Sequence, residues 1–139
     1  FNIAEMFTID SQNKSYNVEV RLKNIDAGAT LSLSAVRFNS GSAILEIGYQ
    51  TDLVLLASWL NSNPTTSVEI VGHTDNIGSA KANLQLSEDR AESVVDFLLT
   101  SGISADRLSS SGRGDQVPIS TNATIEGKAL NRRVEIVVN

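Results

Sequence analysis

Residues 68–90 read VEIVGHTDNIGSAKANLQLSEDR, and this stretch decides the fold. Val68, Ile70 and Val71 form a short apolar run that stops at Gly72, which reads as a strand. Gly72-His73-Thr74-Asp75-Asn76-Ile77-Gly78 then reads as a loop, with Gly72 and Gly78 permitting tight backbone turns. Ligand-binding loops in α/β folds often leave the C-terminal ends of strands. A helix follows, for which Ser87 is the expected N-cap, with Glu88 and Asp89 in the first turn.

The same alternation of strand and helix extends outward on both sides. Upstream, Leu31, Leu33 and Ala35 alternate with serines and lead through Val36 to Phe38, a strand closed by Asn39-Ser40-Gly41. Ser42 is the expected cap of a first helix. Ile44, Leu45, Leu53, Leu56 and Leu60 share its apolar stripe, with Ile47 and Trp59 on the borders. Asn63-Pro64 ends that helix, because the residue before proline avoids the helical region. Downstream, Ala91, Val94, Val95, Leu98 and Leu99 give the second helix its buried face, and Gly102 is its natural C′ residue. Leu108 to Gly112 is a short Ser-rich strand. A polar stretch to about Gly127, with Pro118 and Asn122, reads as a structured loop, and Val134 to Val138 as the last strand. The order is βαβαββ, which implies an α/β (α+β) sandwich with both helices on one face of a mixed sheet. Residues 1–30 are more polar and read as a linker or extension. Within them Val18, Val20 and Leu22 alternate with charged residues, the pattern of an extra strand. The folded domain is expected over residues 31–139.

The chain has 139 residues, enough for one domain that buries its own core. It has no cysteine, so neither a disulfide nor a thiolate metal site is available. The net charge of −5 argues against nucleic acid as a partner. No apolar run reaches the roughly 18–20 residues of a membrane span. The chain begins at Phe1, without a charged n-region and apolar h-region, and reads as a processed protein or an excised fragment. Any membrane association is expected only through a segment upstream of residue 1.

Asp75 and Arg90 carry the functional reading. Asp75 is the one carboxylate of the 72–78 loop, and the ordinary role for it is a turn aspartate bonding nearby backbone. With Ser87 as N-cap, Arg90 stands at N3. There a cation opposes the helix dipole at a cost of up to about 0.3–1 kcal/mol. An arginine holding an anion together with free helix N–H groups would account for that placement. So would a surface pair with Glu88 or Asp89. An Arg fork suits a carboxylate. The two charges are open to two arrangements: they bond each other, or they are separated by a ligand carrying both an ammonium and a carboxylate.

His73, the only histidine, reads as a hydrogen-bonded structural residue. Arg132 and Arg133 are expected to begin the last strand on opposite faces, one of them bracing the binding loop through its carbonyls. Arg113-Gly114-Asp115 spells an adhesion tripeptide, a match too short to carry weight.

Taken in order, several motifs resemble the OmpA-like C-terminal domain family. They are Gly72-His73-Thr74-Asp75-x-x-Gly78 and Asn83-x-x-Leu86-Ser87-x-x-Arg90-Ala91, then Gly102-Ile103, Arg107-Leu108 and Gly112-x-Gly114. The match continues through Pro118, Asn122, Thr124-x-Glu126-Gly127 and Asn131-Arg132-Arg133-Val134-Glu135. Lys128 stands where the family usually has Arg, and Asp115 where Glu is common. The resemblance implies non-covalent binding of peptidoglycan through meso-diaminopimelate, with Asp75 on its ammonium and Arg90 on its carboxylate. It implies further contacts from Asn83, Thr74, Phe38 and Asn39. No catalytic residue, metal or cofactor is expected. The expected place is the periplasmic face of the outer membrane, where the domain would anchor its protein to the wall; a homodimer is a further expected partner. Each site should be weak, micromolar to millimolar on the order of magnitude, because two charge-assisted bonds of roughly 1.5–3 kcal/mol offset an association cost of at least about 4 kcal/mol. Many copies of the ligand in the wall then supply retention. Two other classes compete. A wall-degrading amidase or glycosidase lacks cysteine and a suitable carboxylate pair. A protein–protein adaptor or stator-type domain would use residues 1–30 for its contacts.

Overall fold

The computed structural model describes residues 28–33, 38, 41–45 and 50–139. The strand expected at 18–22, the continuation of the 31–38 strand through residues 34–37, Ile47 and Asn39 lie outside the described residues. The elements are β1 (Thr30–Ser32), α1 (Thr51–Ser62), β2 (Val68–Gly72), α2 (Ala80–Thr100), a 3-10 turn (Ala105–Arg107), β3 (Leu108–Gly112), α3 (Ile125–Asn131) and β4 (Val134–Val138). The strands form one mixed sheet in the order β1-β4-β2-β3. β4 runs antiparallel to both neighbours, placing Ile136 opposite Leu31 on one side and Ile70 on the other. β2 and β3 are parallel and pair from Val68–Leu108 to Gly72–Gly112. A parallel pair needs a crossover, and α2 supplies it.

One face of this sheet makes the core. Leu31, Val68, Ile70, Val134, Ile136 and Val138 from the strands pack with Leu53, Leu56 and Leu60 of α1 and with Ala91, Val94 and Leu98 of α2. The period-2 and period-3.6 patterns of the sequence therefore converge on one layer. The α/β sandwich with α1 and α2 on a mixed sheet is the architecture seen. Asn63 ends α1, and Gly102 takes a φ of +94° just after α2, as expected.

Both helix starts differ from expectation. Ser42 caps nothing: its Oγ accepts the N–H of Ile44 in a local turn, Ile44 is 77% exposed, and the helix begins only at Thr51. α2 starts at Ala80, capped by Ser79, whose side chain accepts from Ala82 N. The stretch AKANLQL is rich in strong helix formers, so the helix extends two turns upstream of Ser87. Ser87 lies inside α2 and is fully buried. Its Oγ donates to Leu84 O and accepts from Gly114 N. A Cβ on Gly72 would collide with the carbonyl of Ser87, and one on Gly112 with its hydroxyl. Ser87 is thus the point where β2 and β3 press on α2, which explains a small residue there.

α3 was not expected: it begins inside the stretch read as a loop and runs on past Gly127 to Asn131. It has no apolar stripe to announce it: Ile125 and Leu130 are exposed, and only Gly127 and Asn131 are buried. Polar bonds hold it instead. Thr124 accepts from Gly127 N, and the Asn131 amide bonds Ile119 N, Ser120 N and O, and Asn122 Oδ1. Arg132 is the C-cap of α3 rather than the first residue of β4, so strand alternation does not govern it.

Candidate functional site

The loop from β2 to α2 and the first three turns of α2 enclose a cleft of about 420 Å³. Asp75, Gly78, Asn83, Leu86, Asp89 and Arg90 line it, and Gly41 closes one side. The Gly41 side is brought there by two bonds to α2: Arg90 Nε donates to Ser42 O at 2.9 Å, and Ser93 Oγ donates to Ala43 O at 2.6 Å.

Arg90 stands in mid-helix, so the dipole argument for an anion at N3 does not apply to it. Its distinction is burial, at 0% exposure. A buried guanidinium is costly unless its N–H groups are bonded. Nε bonds Ser42 O, and Nη1 donates to His73 O at 3.2 Å. The Phe38 ring lies 5.2 Å from Cζ, within cation–π range. Burial and the charge of Arg132 pull the Arg90 pKa down to about 10, against the opposing pull of Asp75, so the group stays cationic at neutral pH. Asp89 accepts from Gln85 Nε2 in the exposed layer.

Asp75 is 4% exposed and uses both oxygens. Oδ1 accepts Ile77 N at 3.0 Å, the expected turn bond. Oδ2 accepts Arg132 Nη1 at 2.8 Å. A carboxylate offers about four acceptor positions, so these two bonds leave room for a ligand donor. Asn83 is 3% exposed and lines the same cleft, and its Nδ2 makes no hydrogen bond.

Asp75, Arg90 and Asn83 are thus brought together. Phe38 stands behind Arg90 as a support. Thr74 is buried outside the cleft lining, with Oγ1 donating to Asp75 O at 2.8 Å. Asn39 lies outside the described residues. Sequence reasoning missed the pairing of Arg132 with Asp75. It also missed the cleft wall formed by Ala82, Leu86 and Asp89. The i, i+4, i+7 spacing of that wall is visible once the helix is started at Ala80.

Around the cleft, His73 is hydrogen-bonded as expected. Its Nε2 lies 2.9 Å from Glu135 Oε1, and its main-chain N–H donates to Arg133 O. Burial, followed by Arg133, lowers its pKa below 6.5, against the opposing pull of Glu135. Neither arginine is seen bracing the binding loop through a carbonyl: Arg133 bonds the carbonyl of Val117 at 2.9 Å, in the segment between β3 and α3, and Arg132 reaches the binding loop at the Asp75 carboxylate. Among the described residues no group of three His, Cys, Asp or Glu side chains is placed to hold a metal, and no helix is long and apolar enough to cross a membrane.

Comparison with known proteins gives a consistent picture. A family model described as OmpA family matches residues 37–132. The chain is 42% identical over 104 residues to the probable lipoprotein YiaD of Escherichia coli (strain K12), covering 75% of the chain and 48% of that protein. It is 44% identical over 101 residues to the peptidoglycan-binding protein ArfA of Mycobacterium tuberculosis (strain ATCC 25618 / H37Rv), covering 73% of the chain and 31% of that protein. The chain therefore spans about half, or less, of the length of these curated relatives. The crystal structure of the peptidoglycan-associated lipoprotein from Burkholderia pseudomallei superposes with a TM-score of 0.72 at 30% identity, covering 75% of this chain and 88% of that one.

Proposed function

The chain belongs to the OmpA family, and from that premise we propose that it binds peptidoglycan non-covalently, by the free amino-acid end of meso-diaminopimelate. Asp75 receives the ammonium, Arg90 the carboxylate, and Asn83 Nδ2 donates to an oxygen of the ligand. The observation that carries this reading is the convergence on one cleft of a carboxylate, a guanidinium and a buried amide donor without a partner. A relative named as peptidoglycan-binding and a neighbour named as peptidoglycan-associated support the choice of ligand. The site performs no chemistry: it supplies two fixed charges of opposite sign and a neutral donor. The protein would act in the periplasm, on the inner side of the outer membrane, tethering whatever it is joined to.

The test is co-sedimentation with isolated peptidoglycan, combined with an NMR titration with meso-diaminopimelate, using the parent, Asp75→Asn and Arg90→Lys. Loss of one charge-assisted contact of about 1.5–3 kcal/mol corresponds to a drop of roughly tenfold to a hundredfold in affinity. Folded variants that sediment like the parent would remove the assignment. Release of soluble muropeptides by the purified parent would show that the protein is an enzyme instead.

A further inference from the structure

His73 sits at the junction of the sheet and the cleft. Its side chain belongs to the sheet: it is 2% exposed and bonds Glu135 of β4. Its main chain belongs to the cleft, because its carbonyl accepts Arg90 Nη1 and Thr74 and Asp75 follow directly. A displacement of the ring therefore reaches the guanidinium through a single residue.

The ring is seated for the neutral form. With Glu135 ionised, the proton belongs on Nε2, which then donates to Oε1. Nδ1 is buried and has no partner. A bare Nδ1 is a neutral acceptor without a partner, whereas a protonated one would be a donor with nowhere to donate on a ring that also carries a buried charge, which costs more. The charges facing the ring come from two elements. Glu135 and Arg133 stand on and before β4, and Arg113 follows β3. Glu135 already gives Oε2 to Arg133 Nε at 3.2 Å. An imidazolium would be a second cation on that one carboxylate.

We propose that His73 is a proton-sensitive prop for the ligand cleft, whose protonation unseats the ring, draws its carbonyl away from Arg90 and weakens the carboxylate end of the site. The device acts on the acid side of the ordinary histidine range, because burial and Arg133 already oppose the charged form. The ligand part of this inference rests on the function proposed above; the coupling between ring and guanidinium does not.

The experiment follows three signals in the full chain from about pH 7.5 to about pH 5 by NMR. They are the His73 ring, the Arg90 Nε–H that bonds Ser42 O, and the affinity for meso-diaminopimelate. The comparison is with His73→Gln, which keeps a donor for Glu135 and cannot charge. In the parent, affinity falls several-fold on acidification, with the midpoint of the ring, and the Arg90 Nε–H resonance moves with it. In His73→Gln the affinity stays flat over that window. A parallel loss in the variant, or an Arg90 resonance that stays fixed while the ring titrates, would overturn the proposal. If meso-diaminopimelate fails to bind at neutral pH, the functional assignment falls, and the Arg90 resonance alone decides the coupling. If the variant does not fold, coincidence of the ring and Arg90 titrations in the parent decides it.

Discussion

Arg132 Nη1 lies 2.8 Å from Asp75 Oδ2 and joins the C-cap of α3 to the loop that follows β2. The two residues are 57 positions apart, and the bond holds a carboxylate that lines the candidate site. The carboxylate is buried and the arginine about one-fifth exposed. Arg132→Ala should therefore destabilise the protein by roughly 1.5–3 kcal/mol, the usual range for a hydrogen bond to a charged group. Its Asp75 would also be less well oriented, so meso-diaminopimelate should bind more weakly. Chemical denaturation and ligand titration measure the two effects. An unchanged stability would mean that the pair is not formed in solution.

Ser87 tests the contact between helix and sheet. Ser87→Ala removes the acceptor for Gly114 N and leaves that buried N–H without a partner, at about 1–3 kcal/mol. Ser87→Val adds bulk where Gly112 already meets the hydroxyl, and should cost more than the alanine variant. The order of the two urea midpoints checks the claim.

Arg107 provides a control remote from the cleft. It precedes β3 at the end where Val68 pairs with Leu108, whereas the cleft lies beyond the Gly72–Gly112 end. Its guanidinium donates to Leu60 O, Asn63 O and Thr66 O, satisfying carbonyls at the end of α1. Arg107→Ala should lower stability by about 2 kcal/mol or more. Affinity for the ligand, measured well below the melting temperature, should be unchanged.

Stability should fall on acidification through the histidine range. The unfolded chain takes up a proton on His73 near about pH 6.5, whereas the folded chain resists it to lower pH. Between the two values the unfolded state binds more protons, so stability is fully present above about pH 6.5 and declines as pH drops towards the folded value. A melting-temperature profile against pH should show this slope in the parent and a shallower one in His73→Gln.

Much of the fold was legible because it rests on short-range rules. The strands at 68–72 and 134–138 follow from apolar runs bounded by glycine or polar residues, and the Ser-rich strand at 108–112 from Leu108 and the closing Gly112. The ends of α1 and α2 follow from Asn63-Pro64 and Gly102. The helix starts were harder. Ser42, Ser79 and Ser87 are all chemically competent caps, and a cap is chosen by whether the preceding residues continue the helix. α3 left no apolar trace, since buried polar contacts of Asn131 hold it in place of a stripe.

By itself, the sequence determined the classes of element, the layer they form and the presence of two opposite charges beside the C-terminal end of β2. All of these are encoded in local periodicity and in residue chemistry. The tertiary structure alone decided which groups those charges meet: Asp75 meets Arg132, Arg90 meets the carbonyls of Ser42 and His73, and Asn83, which lines the cleft, keeps a buried amide nitrogen without a partner. Those partners lie 17 to 57 positions away along the chain. Hydrogen bonds act over about 3 Å, so only closure of the sheet and the packing of α2 upon it could bring them within reach.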